Sequence, residues 1–223
     1  MTSQDAPRPA PPATSTTTST TASTTTSTTA PKTTSTTAPE TTPLTAPPAP
    51  PAPEPDTKDW TWTLRQACPD CGFEAASVPG DDLPAAIADG TAPWSTVLAR
   101  AGVRDRPSPT VWSPLEYACH VRDVCRLFDR RLRLMLSEDD PAFDNWDQDE
   151  TAIRSRYDLQ DPAAVAREIA DAATHFAETY AGVSGPQWSR AGRRSDGSVF
   201  TVLTLGQYAL HDLMHHLWDV KAS

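Results

Sequence analysis

The chain has 223 residues, with 29 acidic against 19 basic and a formal net charge of −10. A balance of that sign speaks against a nucleic-acid partner, because such partners are held by cationic surfaces. No stretch has the length and apolarity of a membrane span, so a small-molecule partner is the expectation.

Residues 1–58 contain no Gly, Cys, Phe, Tyr or Trp, and they hold 13 of the 23 prolines among runs of Thr and Ser. Such a segment cannot bury enough apolar surface to offset its ordering entropy, so a disordered arm with polyproline-like stretches is expected. A Thr/Ser/Pro tract also suits a glycosylated stalk, but no apolar leader precedes it, and the cytoplasm is the expected address. The remaining 165 residues, with 25 acidic and 16 basic, suffice for one domain with a substantial core.

Residues 59–81 form a lead segment. Trp60-Thr61-Trp62-Thr63-Leu64 alternates, and Cys68-Pro69-Asp70-Cys71-Gly72 follows. A single CxxC is half of a zinc ribbon or a redox pair, and no second CxxC completes four ligands. A structural or incidental role is therefore read ahead of metal binding, and metal binding ahead of redox chemistry. Cys119 and Cys125 lie six apart on one predicted helix, roughly 240° around it, and cannot bridge each other; reduced thiols are expected.

Residues 82–223 carry helical periodicity. From Asp82 to Ala101 a helix is predicted on Leu83, Ile87, Trp94, Val97 and Leu98, broken near Gly90 to Pro93. Ser113 to Leu136 reads as the strongest helix, with Ser113 as N-cap, Pro114 at the first position and Glu116 closing a capping box. After an acidic connection with a short helix ending near Arg156, Pro162 starts a third helix that Gly182 stops. Trp188 to Thr201 reads as a hairpin turning at Ser195-Asp196-Gly197-Ser198, and Thr204 to Val220 as the last helix. The sum is an all-α, four-helix bundle with a short hairpin before its final helix.

The chemistry concentrates at His211-Asp212-Leu213-Met214-His215-His216. Imidazoles four apart on a helix project from one face and make half of a metal site. His120, about two turns into the Ser113 helix, faces inward if that helix packs against the last one, whereas His175 reads as a partly exposed helical histidine. Asp123, Asp212 and Asp219 are placed to accept the outer N–H of a metal-bound ring. His216, some 100° around from His215, reads as a supporting or surface residue as readily as a ligand. Arg193 and Arg194 could hold a carboxylate, although a solvated loop is the blander reading, and Trp146 could close over the site.

The Trp112-Ser-Pro-Leu-Glu-Tyr117-x-x-His120-x-x-Asp123 helix, paired with a final His-Asp-x-x-His-His helix, resembles the DinB/YfiT-like superfamily. The resemblance is especially to actinobacterial members that open with Cys-Pro-Asp-Cys-Gly-Phe, and it covers about Trp60 to Val220. It implies up-down-down-up connectivity and a divalent metal on His120, His211 and His215. Characterised members include mycothiol- or bacillithiol-dependent transferases and isomerases in which the metal activates the thiol. Zinc is the first expectation, with nickel or iron as alternatives. Three imidazoles would leave a coordination position open for a thiol or water.

Two rivals stand beside a thiol S-transferase. One is a metal-dependent hydrolase, since His211-Asp212-x-x-His215 copies HExxH spacing with Asp as the base. The other is a non-catalytic metal-binding bundle. A homodimer is compatible with the sequence.

Overall fold

The computed structural model describes residues 59–221 and, before them, Pro48, Pro50 and Pro51. The arm expected over residues 1–58 lies, but for those three prolines, outside the described residues. The helices are α1 (Leu83–Thr91), α2 (Trp94–Leu98), α3 (Pro114–Ser137), α4 (Gln148–Arg154), α5 (Pro162–Ala181) and α6 (Val202–Lys221). Three short strands accompany them: β1 (Ala142–Phe143), β2 (Ala191–Arg194) and β3 (Val199–Thr201).

Capping chemistry fixes where the long helices begin. Ser113 Oγ accepts the Glu116 N–H at 3.3 Å, and Glu116 Oε2 accepts the Ser113 N–H at 2.9 Å, so both orphan donors at the start of α3 are satisfied. Asp161 does the same for Ala164 at the start of α5, with Pro162 at the first position. Trp60–Leu64, alternating in sequence, coils into a 3-10 helix and not a strand. Asp59 caps it through the Thr61 N–H, which gives the backbone a local partner before any sheet could.

Helices α1, α3, α5 and α6 share one core: α1 packs on α5 and α6, and α3 packs on the same two. Leu83, Ile87, Leu115, Leu132, Phe176, Leu205 and Leu213 are fully buried there, each contributing about 1.5–3 kcal/mol of apolar transfer. Gly206 sets how closely α6 approaches. A Cβ there would lie 2.6 Å from Leu83 Cδ1 and 2.7 Å from Tyr180 Cζ, so only glycine lets the helix sit this deep.

The hairpin expected after Trp188 is present as the antiparallel pair β2 and β3, with Gly197 at φ +94° in its turn. The third strand was not expected. β1 adds parallel to β2, pairing Ala142 with Arg193 and Phe143 with Arg194, and so ties the acidic connection after α3 to the hairpin. Among the described residues no helix is long and apolar enough to cross a membrane.

Candidate metal centre

The rotation of α6 about its own axis decides which of its polar residues meet. Its buried face is carried by Leu205, Ala209, Leu213, Leu217 and Val220, which centres on Leu213. At about 100° per residue, Asp212 and His216 flank that face, whereas His211 and His215 lie roughly 160° away from it. The three histidines expected on one ion are therefore divided. His120, buried on α3, meets Asp212 and His216, and their candidate ligand atoms all lie within 4.8 Å of one another. His211 and His215 meet Cys68 and Cys71 of the lead segment instead, again within 4.8 Å. The side of α6 read from the sequence as facing the bundle is the side turned away from it, covered by residues 60–73.

The first cluster has the spacing of ligands. His120 Nε2 lies 3.2 Å and His216 Nε2 3.3 Å from the same oxygen, Asp212 Oδ1. Atoms bound at about 2.0–2.1 Å in a tetrahedral shell stand about 3.3 Å apart. The other nitrogen of His216, Nδ1, is 2.8 Å from Asp219 Oδ2. His120 Nδ1 is buried with no hydrogen-bond partner among the described residues, so Asp212, at Nε2, is the one polar contact of this buried ring there. Aromatic rings hold it: Trp146 stacks on it with centroids 5.1 Å apart and planes 5° from parallel, and Trp112 lies at 5.3 Å. Tyr117 lies 5.0 Å from the His216 ring.

The electrostatics favour a cation. Burial alone would raise the Asp212 carboxyl, but His120 and His216 outweigh it and hold it well below the usual carboxylate range. Burial opposes charge on His216, yet Asp212 and Asp219 overcome it and push this imidazole up to about 9. Two half-buried carboxylates thus already gather positive charge at this point. On the far side of the helix, burial and then the neighbouring His215 pull His211 down to about 4, and burial lowers His215 as well.

A cavity of about 810 Å³ opens over α6. Asp212, His216, His211 and His215 line it, with Trp60, Trp146, Tyr208, Arg131 and Arg194 in its walls and Asp59, Asp147, Asp149 and Asp196 among its acidic lining. The sequence profile of the DinB superfamily matches residues 89–220, which takes in α3, α5, α6 and the His120–Asp212–His216 cluster. The chain belongs to the DinB superfamily. Among solved structures it is similar to YfiT from Bacillus subtilis, described as a probable metal-dependent hydrolase with an unusual four-helix bundle topology. That likeness has a TM-score of 0.51 at 15% identity and covers 76% of this chain and 91% of YfiT. No curated protein matches the chain.

The remaining candidate residues of this DinB-superfamily chain fall into place around the cavity. Trp146 is in its wall, and its Nε1 donates to Thr151 Oγ1 at 2.8 Å. Arg194 is there too, paired with Asp196 at 2.7 Å and lying over the Tyr208 ring. Arg193 is not: it turns to the surface and pairs with Asp140 at 2.8 Å, because β2 alternates its side chains. Asp123 does not support His120. It accepts from Tyr157 Oη at 2.6 Å and Arg122 Nε at 2.9 Å, one turn along α3. His175 is exposed on α5, as expected. Sequence reasoning gave no site role to Trp112 and Tyr117, although both stand in the motif around His120. It also missed the junction of Cys68 and Cys71 with the last helix, for which a signal existed. A two-donor CxxC and a two-donor HxxxH add up to four ligands without a second CxxC.

Proposed function

We propose that the chain is a metal-dependent enzyme, built on a bundle of up-down-down-up course, that delivers an activated water to a small electrophilic substrate. The observation that carries this is the convergence of His120, Asp212 and His216 beside a cavity of about 810 Å³. Three protein donors are what catalytic centres keep, leaving a position for the reactant. A divalent ion there, zinc first and iron or nickel as alternatives, would supply Lewis acidity and bring the pKa of a nearby water or thiol toward neutrality.

The chain's own residues do the rest. Asp219 takes the outer N–H of His216 and so holds its Nε2 toward the centre. Trp112 and Trp146 fix the plane of His120 and keep water from its buried edge. Replacing one of three imidazoles by the Asp212 carboxylate lowers the net charge of a divalent centre. The acidic lining at Asp59, Asp147, Asp149 and Asp196 disfavours an anionic cosubstrate. Both features support water over a thiol as the nucleophile, in keeping with what is said of YfiT.

A thiol S-transferase using a low-molecular-weight thiol of the mycothiol type is the second reading, favoured by Arg131 and Arg194 in the cavity wall. A cytoplasmic address and a small-molecule partner belong to the same proposal. The test strips the full chain with chelator, restores zinc, iron or nickel, and assays esters, amides and lactones with and without added thiol. Chelator-sensitive hydrolysis without thiol, lost in His120→Ala and His216→Ala, is expected. Turnover that needs the thiol selects the second reading, and turnover unchanged in both variants refutes the centre.

A further inference from the structure

We infer that Cys68, Cys71, His211 and His215 form a second, closed metal site of the structural zinc type, which pins the lead segment to the outer face of α6. This site is separate from the His120–Asp212–His216 centre and does not depend on the chemistry proposed there.

The donor set is complete. Two thiols and two imidazoles are the four ligands that structural zinc takes, and all four donor atoms lie within 4.8 Å of one another. Cys68 Sγ is 3.6 Å from His215 Nδ1, and Cys71 Sγ is 3.9 Å from His211 Nε2. A tetrahedral ion with Zn–S of about 2.3 Å and Zn–N of about 2.0–2.1 Å holds sulfur and nitrogen about 3.6 Å apart. The polypeptide geometry suits the same end. The Gly72 N–H donates to Cys68 O at 2.8 Å and the Cys68 N–H to Phe73 O at 2.9 Å, a tight knuckle that turns both sulfurs to one side. Gly72 at φ +74° permits that turn. On α6 the i, i+4 spacing supplies the other two ligands from a rigid element.

Charge balances as well. Two thiolates neutralise a divalent cation, the two imidazoles bind neutral, and the two thiol protons leave to solvent, so the loaded site carries no net charge into a covered position. Cys68 is 1% exposed and His211 4%. With four protein ligands no position stays open for a reactant, in contrast to the three-donor cluster one residue further along the helix. The consequence is architectural: Trp60, whose ring lies 5.6 Å from His211 and 5.3 Å from His215, is held as a wall of the cavity.

The experiment uses the full-length chain produced with added zinc. X-ray absorption at the zinc edge should show sulfur scatterers at about 2.3 Å together with nitrogen. Reconstitution with Co(II) should give a thiolate-to-cobalt charge-transfer band and the visible bands of a tetrahedral site. Cys71→Ser and His211→Gln should lose that band and about one equivalent of retained zinc per chain. His120→Ala should keep the sulfur signature, so failure of the catalytic reading leaves this one standing. A zinc shell without sulfur, no thiolate–cobalt band with both thiols reduced, or a Cys68–Cys71 disulfide that persists with zinc present would each overturn the inference. The absorption edge of the unsubstituted chain decides even if a variant does not fold.

Discussion

Asp212→Asn removes a charge and keeps a shape, which makes it the sharpest probe of the His120–Asp212–His216 cluster. In the metal-free chain Asp212 and Asp219 raise His216 from its ordinary 6.5 to about 9 in spite of burial, which opposes the shift. That span corresponds to about 3 kcal/mol of preference for the charged ring. Asp212 is the larger of the two attractions, so its neutralisation is expected to cost about 2 kcal/mol where the pair is fully formed. Because the folded value lies above the unfolded one, this contribution is fully present below pH 6.5 and lost as pH rises through about 9. Urea unfolding of chelator-treated protein, followed by circular dichroism, should therefore separate the variant from its parent at pH 6 and bring them together above pH 9. A His216 proton titration should move down by more than about one unit. Equal unfolding midpoints for the two proteins at every pH would refute the arrangement.

Three further outcomes are expected. Gly206→Ala should destabilise the fold by about 1–3 kcal/mol, since the new methyl meets Leu83 and Tyr180 within 2.7 Å, and an unchanged urea midpoint would contradict that packing. Metal-free protein should lose up to about 3 kcal/mol between pH 6.5 and 4, because burial holds His211 neutral down to about 4 while the unfolded ring protonates near 6.5. That stability is present above 6.5 and lost as pH falls, and His211→Gln should flatten the slope. Ser113→Ala breaks the box at the start of α3 and leaves Glu116 without one of its buried partners, a loss of about 1–2 kcal/mol readable in thermal melts.

Local rules carried the sequence reading as far as local rules reach. Ser113-Pro114-x-Glu116 and Asp161-Pro162 start their helices where capping chemistry says they should, and Ser195–Ser198 turns the hairpin. β1 escaped because a two-residue strand has no periodicity, and its partner β2 lies about fifty residues away. The ligand grouping escaped for a different reason. Spacing of four is satisfied by His211 with His215 and equally by Asp212 with His216, and the choice belongs to the rotation of α6. The apolar set Leu205, Ala209, Leu213 and Leu217 carries that rotation in the sequence, but the histidines were read ahead of it. Lone CxxC logic likewise looked for a like partner and passed over an unlike one.

The two pairs of candidate ligands on α6 are offset by a single residue, so which pair meets His120 is a matter of phase. A turn of α6 about its own axis by one residue, about 100°, would carry His211 and His215 into the slots that Asp212 and His216 now occupy opposite His120. The centre would then present three imidazoles and no carboxylate, and Cys68 and Cys71 would lose their mates in the same stroke. The apolar spine of α6 thus acts as a keyway, and whether a carboxylate or an imidazole stands opposite His120 is set by where leucines fall on a helix.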